Sequence, residues 1–365
     1  MRAQLMMRYI LGEMIPTFLI GVIGFVLVLL MLQALRLTEF VLVHGVKLTT
    51  IAEMAGYMAT SFLPILFPMS LLLTVLLTYG RLSADAEVVA FRAIGLNTGY
   101  IIAPAIILAV AVLVLSLQTS YHIAPWGNRQ FESLISKLGS MKPGVAIKEG
   151  TFSEGFFDLV VYANKVDSSD GHLEQVFIFD ERNQKAPVTV ISRRGLLVQD
   201  KDHPGHRASL RLMDGDIHSS AEGRHTKIDF TTYEIFFNEA LKQESNSKSP
   251  QSMTIEELGQ LLQDPKLAKE QRLEVETERH KRTALGFACL VFGAIGAGIG
   301  TVSNRRNAKS GGTVIALALI VTYYILFVTA EGFARKGEVV PWLVMWVPNG
   351  LFSVAALWVL RRSWR

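Results

Sequence analysis

The chain has 365 residues, half of them hydrophobic, and a mean hydropathy of +0.33, an apolar share above that of an average soluble domain, which points to a membrane protein. The net charge of +4 at pH 7 and a pI near 9.1 do not argue for nucleic acid, because many of the basic residues lie just outside apolar runs, where they anchor helices. The single cysteine, Cys289, falls inside an apolar run, which excludes an internal disulfide and leaves any soluble part to hold together by packing.

Crossing hydrocarbon takes about 20 helical residues, and six stretches free of Asp, Glu, Lys and Arg meet that length: 14–35, 54–80, 94–121, 283–303, 311–330 and 339–360. The first is too long for a signal peptide and lacks a small-residue cleavage site, so it reads as a retained helix. Pro16, Pro64, Pro68 and Pro104 fall within or near helix ends and demand kinks or early terminations.

Between helices two and three, the loop Arg81-Leu-Ser-Ala-Asp-Ala-Glu-Val-Val-Ala-Phe-Arg-Ala-Ile-Gly95 predicts a short helix over 83–94. Ser83 can cap it, Asp85 and Glu87 suit the positive end of its dipole, Arg92 suits the last turn, and Gly95 can stop it. Helical spacing puts Ala84, Glu87, Phe91 and Ile94 on one face, a carboxylate beside an aromatic knob. A helix lying on lipid headgroups would set Glu87 near anionic lipid. A docking helix for a partner protein accounts for both residues.

After helix three the chain changes character. From 122 to 282 it is polar and turn-rich, with candidate strands at 159–166, 175–179, 188–192, 195–199, 208–213 and 228–237, separated by turn chemistry at Asp170-Gly171, Pro204-Gly205 and Asp214-Gly215. Short strands so spaced predict a β-sandwich or jelly roll. Thr254-Ile-Glu-Glu257 has the form of a capping box opening a charged helix that leads back to the membrane, with Leu258, Leu261 and Leu262 on one face. Domains are therefore expected at 1–122, 123–281 and 282–365, the middle one soluble.

Basic residues beside the helix ends set orientation. Arg2, Arg8, Arg81, Arg92, Arg305, Arg306, Lys309, Arg361, Arg362 and Arg365 fall on one side, against Arg36, Lys47, Arg335 and Lys336 on the other. Both termini are expected in the cytoplasm and the soluble domain outside, which in a bacterium is the periplasm.

Known catalytic patterns are missing from the sequence. Gly332-Phe-Ala-Arg-Lys-Gly337 has the glycine spacing of a phosphate-binding loop but continues with Glu338 where lysine should stand, so this chain is not expected to hydrolyse nucleotide. Gly293, Gly296, Gly298 and Gly300 imitate a dinucleotide fingerprint inside an apolar helix, where small residues let helices approach closely. Asp200, Asp202, His203 and His206 have the types of metal ligands, but a solvated turn has the same composition. No metal and no cofactor are expected in this chain.

In order and spacing, several short motifs together resemble the LptF/LptG family of lipopolysaccharide-export permeases along nearly the whole length. They are Arg8-Tyr9-Ile10, Leu82-Ser-Ala-Asp-Ala-Glu-Val-Val-Ala-Phe-Arg-Ala-Ile-Gly95, Ile123-Ala-Pro-Trp-Gly127, Gly150-Thr-Phe152, Glu278-Arg-His-Lys-Arg282 and Trp346-Val-Pro-Asn349. Val176-Phe-Ile-Phe179 and Tyr323-Tyr324 resemble the LptF branch more.

The resemblance implies an ABC transporter permease of the inner membrane. Its partners would be an LptB-type ATPase dimer that binds and hydrolyses ATP, a sister permease, an LptC-type periplasmic protein, and lipopolysaccharide as cargo. It maps the ATPase-coupling helix onto Ser83, Asp85, Glu87, Phe91 and Arg92. It maps a phosphate-facing position at the outer end of helix one onto Arg36, with Gln33 where a family member can carry lysine, and it makes Glu331 and Arg335 gate candidates. Gly286 stands where proline is common in the family, implying a straighter fourth helix. The β domain would be a periplasmic jelly roll, with Val160, Tyr162, Phe177 and Phe179 as interior candidates for acyl chains or as an ordinary core. Two other classes remain in play: a lipid-modifying membrane enzyme, which would need ionisable groups clustered within the membrane, and a membrane anchor or receptor for periplasmic partners, which would not need the ordered helix around Glu87.

Overall fold

A computed structural model of the chain describes residues 2–44, 48–141, 149–156, 159–167, 171–180, 188–199, 208–221, 224–236, 248–302 and 308–363. Among these, six helices are long and apolar enough to cross a membrane: Ala3–Ala34, Leu48–Ala84, Thr98–Ile135, Lys269–Thr301, Thr313–Lys336 and Pro341–Arg362. An antiparallel β domain stands between the third and fourth spans in sequence. The chain groups into two compact units, one of Met1–Ala34, Ala55–Arg129 and Ser249–Arg365, the other of Leu35–Met54 and Gln130–Lys248.

In the helical unit the elements are α1 (Arg2–His44), α2 (Leu48–Ala84), α3 (Glu87–Ala93), α4 (Thr98–Gln118), α5 (Ala124–Met141), α6 (Ile255–Leu261), α7 (Lys269–Val302), α8 (Ala308–Lys336), α9 (Pro341–Val344) and α10 (Val347–Ser363), three of which, α1, α2 and α5, run past its bounds. Pro16, Pro64, Pro68 and Pro104 all lie inside continuous helices, so none of them is a terminator. α7 is the hub. Its most apolar stretch is 67 % buried, whereas that of α1 is 6 % buried, so α1 presents most of its surface to lipid or to another protein. Cys289 and Ala297 of the hub share one apolar cluster with Met6, Ile10, Met14 and Phe18 of α1, Val75 and Tyr79 of α2 and Ala105 and Ala109 of α4; Ala284, Phe292 and Ile295 share another with Ile320, Tyr323 and Phe327 of α8 and Phe352 of α10.

The α7 glycines are contact points, as their place in an apolar helix predicts. A Cβ on Gly293 would meet Ala109 Cβ at 2.5 Å, one on Gly296 would meet Val75 Cγ1 at 2.8 Å, and one on Gly300 would meet Tyr79 Cβ at 2.5 Å. These separations exclude side chains and let backbones approach. Gly286 sits against Leu117 in an unbroken α7. Two buried polar side chains are satisfied across helices: Tyr323 donates to Asn349 Oδ1 at 2.8 Å, and Asn349 Nδ2 donates to the Ala284 carbonyl at 2.8 Å.

α5 is an addition to the sequence reading. It prolongs α4 through one π-turn, Thr119–Ile123, in which the Ala124 N–H reaches back to the Thr119 carbonyl. Pro125 has no N–H and crowds the preceding turn, and the wider π geometry accommodates it, so the helix continues past its expected end at residue 121.

The six strands of the β domain are β1 (Phe152–Phe156), β2 (Leu159–Asp167), β3 (His172–Asp180), β4 (Val188–Gln199), β5 (Ala208–Ala221) and β6 (Arg224–Phe236). Each pairs antiparallel with the next. The jelly-roll expectation is thereby refined to a meander among the described strands. The candidate strands 188–192 and 195–199 are one strand, and Asp214-Gly215 lies inside β5 instead of turning.

A line of residues explains both outcomes. The ladder passes over Asn164, Gln175, Arg193, Asp214 and Thr231 without pairing them, and Gln175 and Asp214 have positive φ of 51° and 55°. At this line the inward parity changes: Leu173 then Val176 and Ile178 are buried on β3, and Val190 and Ser192 then Gly195 on β4. Alternation carried across this line therefore ends on the wrong face. The core is Val161, Ala163, Leu173, Val176, Ile178, Val190, Leu210, Leu212 and Ile235, while Val160, Tyr162, Phe177 and Phe179, the interior candidates, are only half-buried, on the opposite face.

Candidate functional site

α3 forms where expected but starts later and faces differently. α2 runs through Ala84, and the chain breaks at Ala86, whose φ of 59° is left-handed, before α3 begins at Glu87. Ser83 is therefore not its cap. The Ser83 hydroxyl is buried and donates to the Gly300 carbonyl at 2.8 Å, tying the end of α2 to the end of α7. The stop is as expected. Gly95 takes φ +85°, its N–H reaches the Arg92 carbonyl, and the Leu96 N–H reaches the Phe91 carbonyl, the paired bonds of a Schellman ending.

Val88 is buried and Phe91 packs against the cluster of α1, α2, α4 and α7, which seats the helix. Val89 and Ile94 are 59 % and 57 % exposed, and Asp85 and Arg92 are exposed with them. The free face is thus Val89, Arg92 and Ile94. Ala84 falls off the expected shared face of Glu87, Phe91 and Ile94, because it ends α2 and the left-handed break at Ala86 rotates α3 relative to that helix.

Glu87 turns back toward α1. Its carboxylate accepts from the Tyr9 hydroxyl at 3.3 Å, and that hydroxyl accepts from Arg81 Nη2 at 3.1 Å. Arg81 also pairs closely with Glu13, one turn along α1 from Tyr9.

A second charged cluster occupies the opposite end of the spans. Glu331 Oε1 accepts from Lys281 Nζ at 2.9 Å and from Arg335 Nη2 at 2.8 Å, and Arg335 Nη1 reaches Glu274 at 3.2 Å. The gate candidates Glu331 and Arg335 are thus parts of an ion-pair network joining α8 to α7, in which Lys281 and Glu274 went unread. Beside it lies a clasp. Arg282, 4 % exposed, donates to Glu278 at 2.9 Å and to the carbonyls of Pro250, Gln251 and Met253 at 2.9, 3.0 and 2.7 Å. Arg129 of α5 grips the Ser252 carbonyl at 3.1 Å and Glu257 at 2.7 Å, and Asn128 donates to the Gln251 carbonyl. The expected capping box is present, with Thr254 N–H to Glu257 at 2.8 Å and Glu257 N–H to the Thr254 hydroxyl at 3.3 Å. Instead of trailing the β domain, α6 is held by side chains of the helical unit.

Arg36 lies on α1 by its backbone, and its side chain is outside the described residues, as are Asp200, Asp202, His203 and His206 altogether. Among the described residues, no group of three His, Cys, Asp or Glu side chains is placed to hold a metal ion.

With six spans, an inserted β meander and a stapled helix between spans two and three, the whole-chain architecture can be set beside known proteins. Residues 8–362 match the family model for the lipopolysaccharide export system permease LptF/LptG. The chain belongs to the LptF/LptG family. Among its relatives, the lipopolysaccharide export system permease protein LptF of Escherichia coli (strain K12) is 20 % identical over 359 residues, covering 97 % of this chain and 94 % of the relative. LptF of Shigella flexneri matches with the same identity and coverage. An uncharacterized protein of Rickettsia prowazekii (strain Madrid E) is 22 % identical over 338 residues, 90 % of this chain and 91 % of its own length. Membership makes this a multi-pass inner-membrane permease of lipopolysaccharide export.

Proposed function

We propose that the chain is one permease subunit of an ABC transporter that extracts lipopolysaccharide from the inner membrane and passes it to a periplasmic bridge. An LptB-type ATPase dimer, which binds the ATP, drives it from the cytoplasm; a sister permease completes the cavity, and an LptC-type protein receives the cargo beside the β domain. The observation that carries the ATPase reading is α3. It is a short helix stopped by a Schellman ending and seated by Val88 and Phe91, with Val89, Arg92 and Ile94 left bare. A helix so fixed transmits a push to the spans it joins. The excess of Arg and Lys at the α3 end of the spans supports a cytoplasmic position for it, and hence a periplasmic β domain. The sparse packing of α1 supports a sister subunit or lipid against that helix.

Glu87→Arg is the test. It sets a cation beside Arg81 and removes the acid from α3, so the variant should insert normally yet lose co-purification with the ATPase and lose export. Normal values for both would overturn the docking role.

Arg36 is the lipid-facing candidate. Arg36→Ala should weaken photocrosslinking of lipopolysaccharide to the outer part of α1 and leave ATPase co-purification unchanged. An undiminished crosslink would make Arg36 an ordinary snorkelling anchor.

A further inference from the structure

The four groups between α1 and α3 form a directed chain. The Tyr9 hydroxyl has one proton, and it is spent on Glu87 Oε1 at 3.3 Å; its oxygen accepts from Arg81 Nη2 at 3.1 Å, and the same guanidinium meets Glu13. Arg81 thereby polarises the phenol and strengthens it as a donor to Glu87. Tyr9 and Glu13 belong to α1, Arg81 to the last turn of α2, and Glu87 opens α3. Glu87 can face α1 only because the left-handed Ala86 turns α3 away from the α2 axis.

We propose that Tyr9 is a positioning residue that ties Glu87 to α1, and that engagement of α3 by the nucleotide-hydrolysing partner breaks this tie and frees the neighbouring end of α1. The proposal rests on the docking role assigned to α3. Two features make the tie a switch instead of a fixture. The groups are partly exposed, 46 % for Arg81 and 24 % for Glu13, so the bonds are weak enough to exchange for a cation offered by a partner. The apolar seat of Val88 and Phe91 draws on α2, α4 and α7 as well as α1, so α3 keeps its hold on the bundle when they break. α1 is the span with least packing, held along the stripe Met6, Ile10, Met14 and Phe18, so loss of one polar tether at its end has somewhere to act. Binding at α3 would then be felt on the helix that borders lipid, through differential contacts in two states.

The test uses the full chain in nanodiscs with spin labels on Leu5→Cys and Tyr100→Cys, both exposed sites, while the native Cys289 is fully buried and stays unlabelled. The inter-label distance distribution should be narrow in the labelled parent and broad in Tyr9→Phe. Glu87→Ala should broaden it equally, and the double variant should broaden it no further, since both remove one bond. With the ATPase bound, the parent should broaden toward Tyr9→Phe, which itself still co-purifies with the ATPase. A narrow distribution in Tyr9→Phe, or additive broadening in the double variant, would overturn the tie; a parent that stays narrow with ATPase co-eluting would overturn its release. Failure of the docking role reads differently, as a Glu87→Arg variant that still co-elutes with the ATPase.

Discussion

Replacing Arg282 by Met is expected to destabilise the helical unit by about 3–5 kcal/mol, the usual cost of breaking a buried ion pair from one side. Four hydrogen bonds converge on this side chain, from its own helix at Glu278 and from the carbonyls of Pro250, Gln251 and Met253. Met fills much of the same volume, so the loss is polar instead of steric. Glu278, 8 % exposed, would be left with Lys281 at 3.8 Å, and three carbonyls would each lose one donor, that of Gln251 keeping Asn128. Thermal unfolding in mild detergent reads the effect, and limited proteolysis near residue 250 should become faster as the turn loosens. Arg282→Met combined with Glu278→Leu should recover part of the loss, because removing both charges costs less than stranding one. An unchanged midpoint in the single variant would mean that the turn is held mainly by Arg129 and Asn128.

Gly300→Leu is the second large effect expected, about 1–3 kcal/mol for forcing a side chain into a filled contact. A Cβ there already lies 2.5 Å from Tyr79 Cβ, and the Gly300 carbonyl holds the Ser83 hydroxyl, so the substitution pushes on the very end of α2 from which α3 departs. Stability in detergent and co-purification with the ATPase should fall together. Gly332→Ala is the control: a Cβ at Gly332 meets nothing within 4 Å, and both readings should stay at the parent value. Retained ATPase binding in a destabilised Gly300→Leu would separate the α2 junction from the docking surface.

The spans were legible because hydrocarbon imposes a length and a composition that survive any tertiary context. The stop at Gly95 and the box at Thr254 were legible because each is local chemistry within a few residues. What went unread depended on geometry that composition does not carry. The faces of β2 and β3 were misread because Val160, Tyr162, Phe177 and Phe179 alternate as regularly as the smaller residues between them, Val161, Ala163, Val176 and Ile178, which are the ones buried. Ser83 was assigned a cap because nothing in the sequence marks Ala86, an ordinary helix former, as left-handed. The partners of Glu331 and Arg335 lie 50 and 61 residues away on another helix, beyond the reach of helical spacing, and so they were weighed as a pair alone. α5 was hidden because the polar composition from residue 122 onward read as the start of the soluble domain, whereas one π-turn carries the helix on from α4.

Movement of lipopolysaccharide by this chain is expected to draw its energy through α3. The measurement closest to it is ATP-dependent release of lipopolysaccharide from proteoliposomes holding the assembled transporter, with periplasmic acceptor protein supplied outside. Release should require the chain and ATP together, and should disappear in Glu87→Arg while bound lipopolysaccharide is still found in the membrane complex. Release that continues at the parent rate in Glu87→Arg, or that proceeds in complexes lacking this chain, would rule out energy delivery through α3.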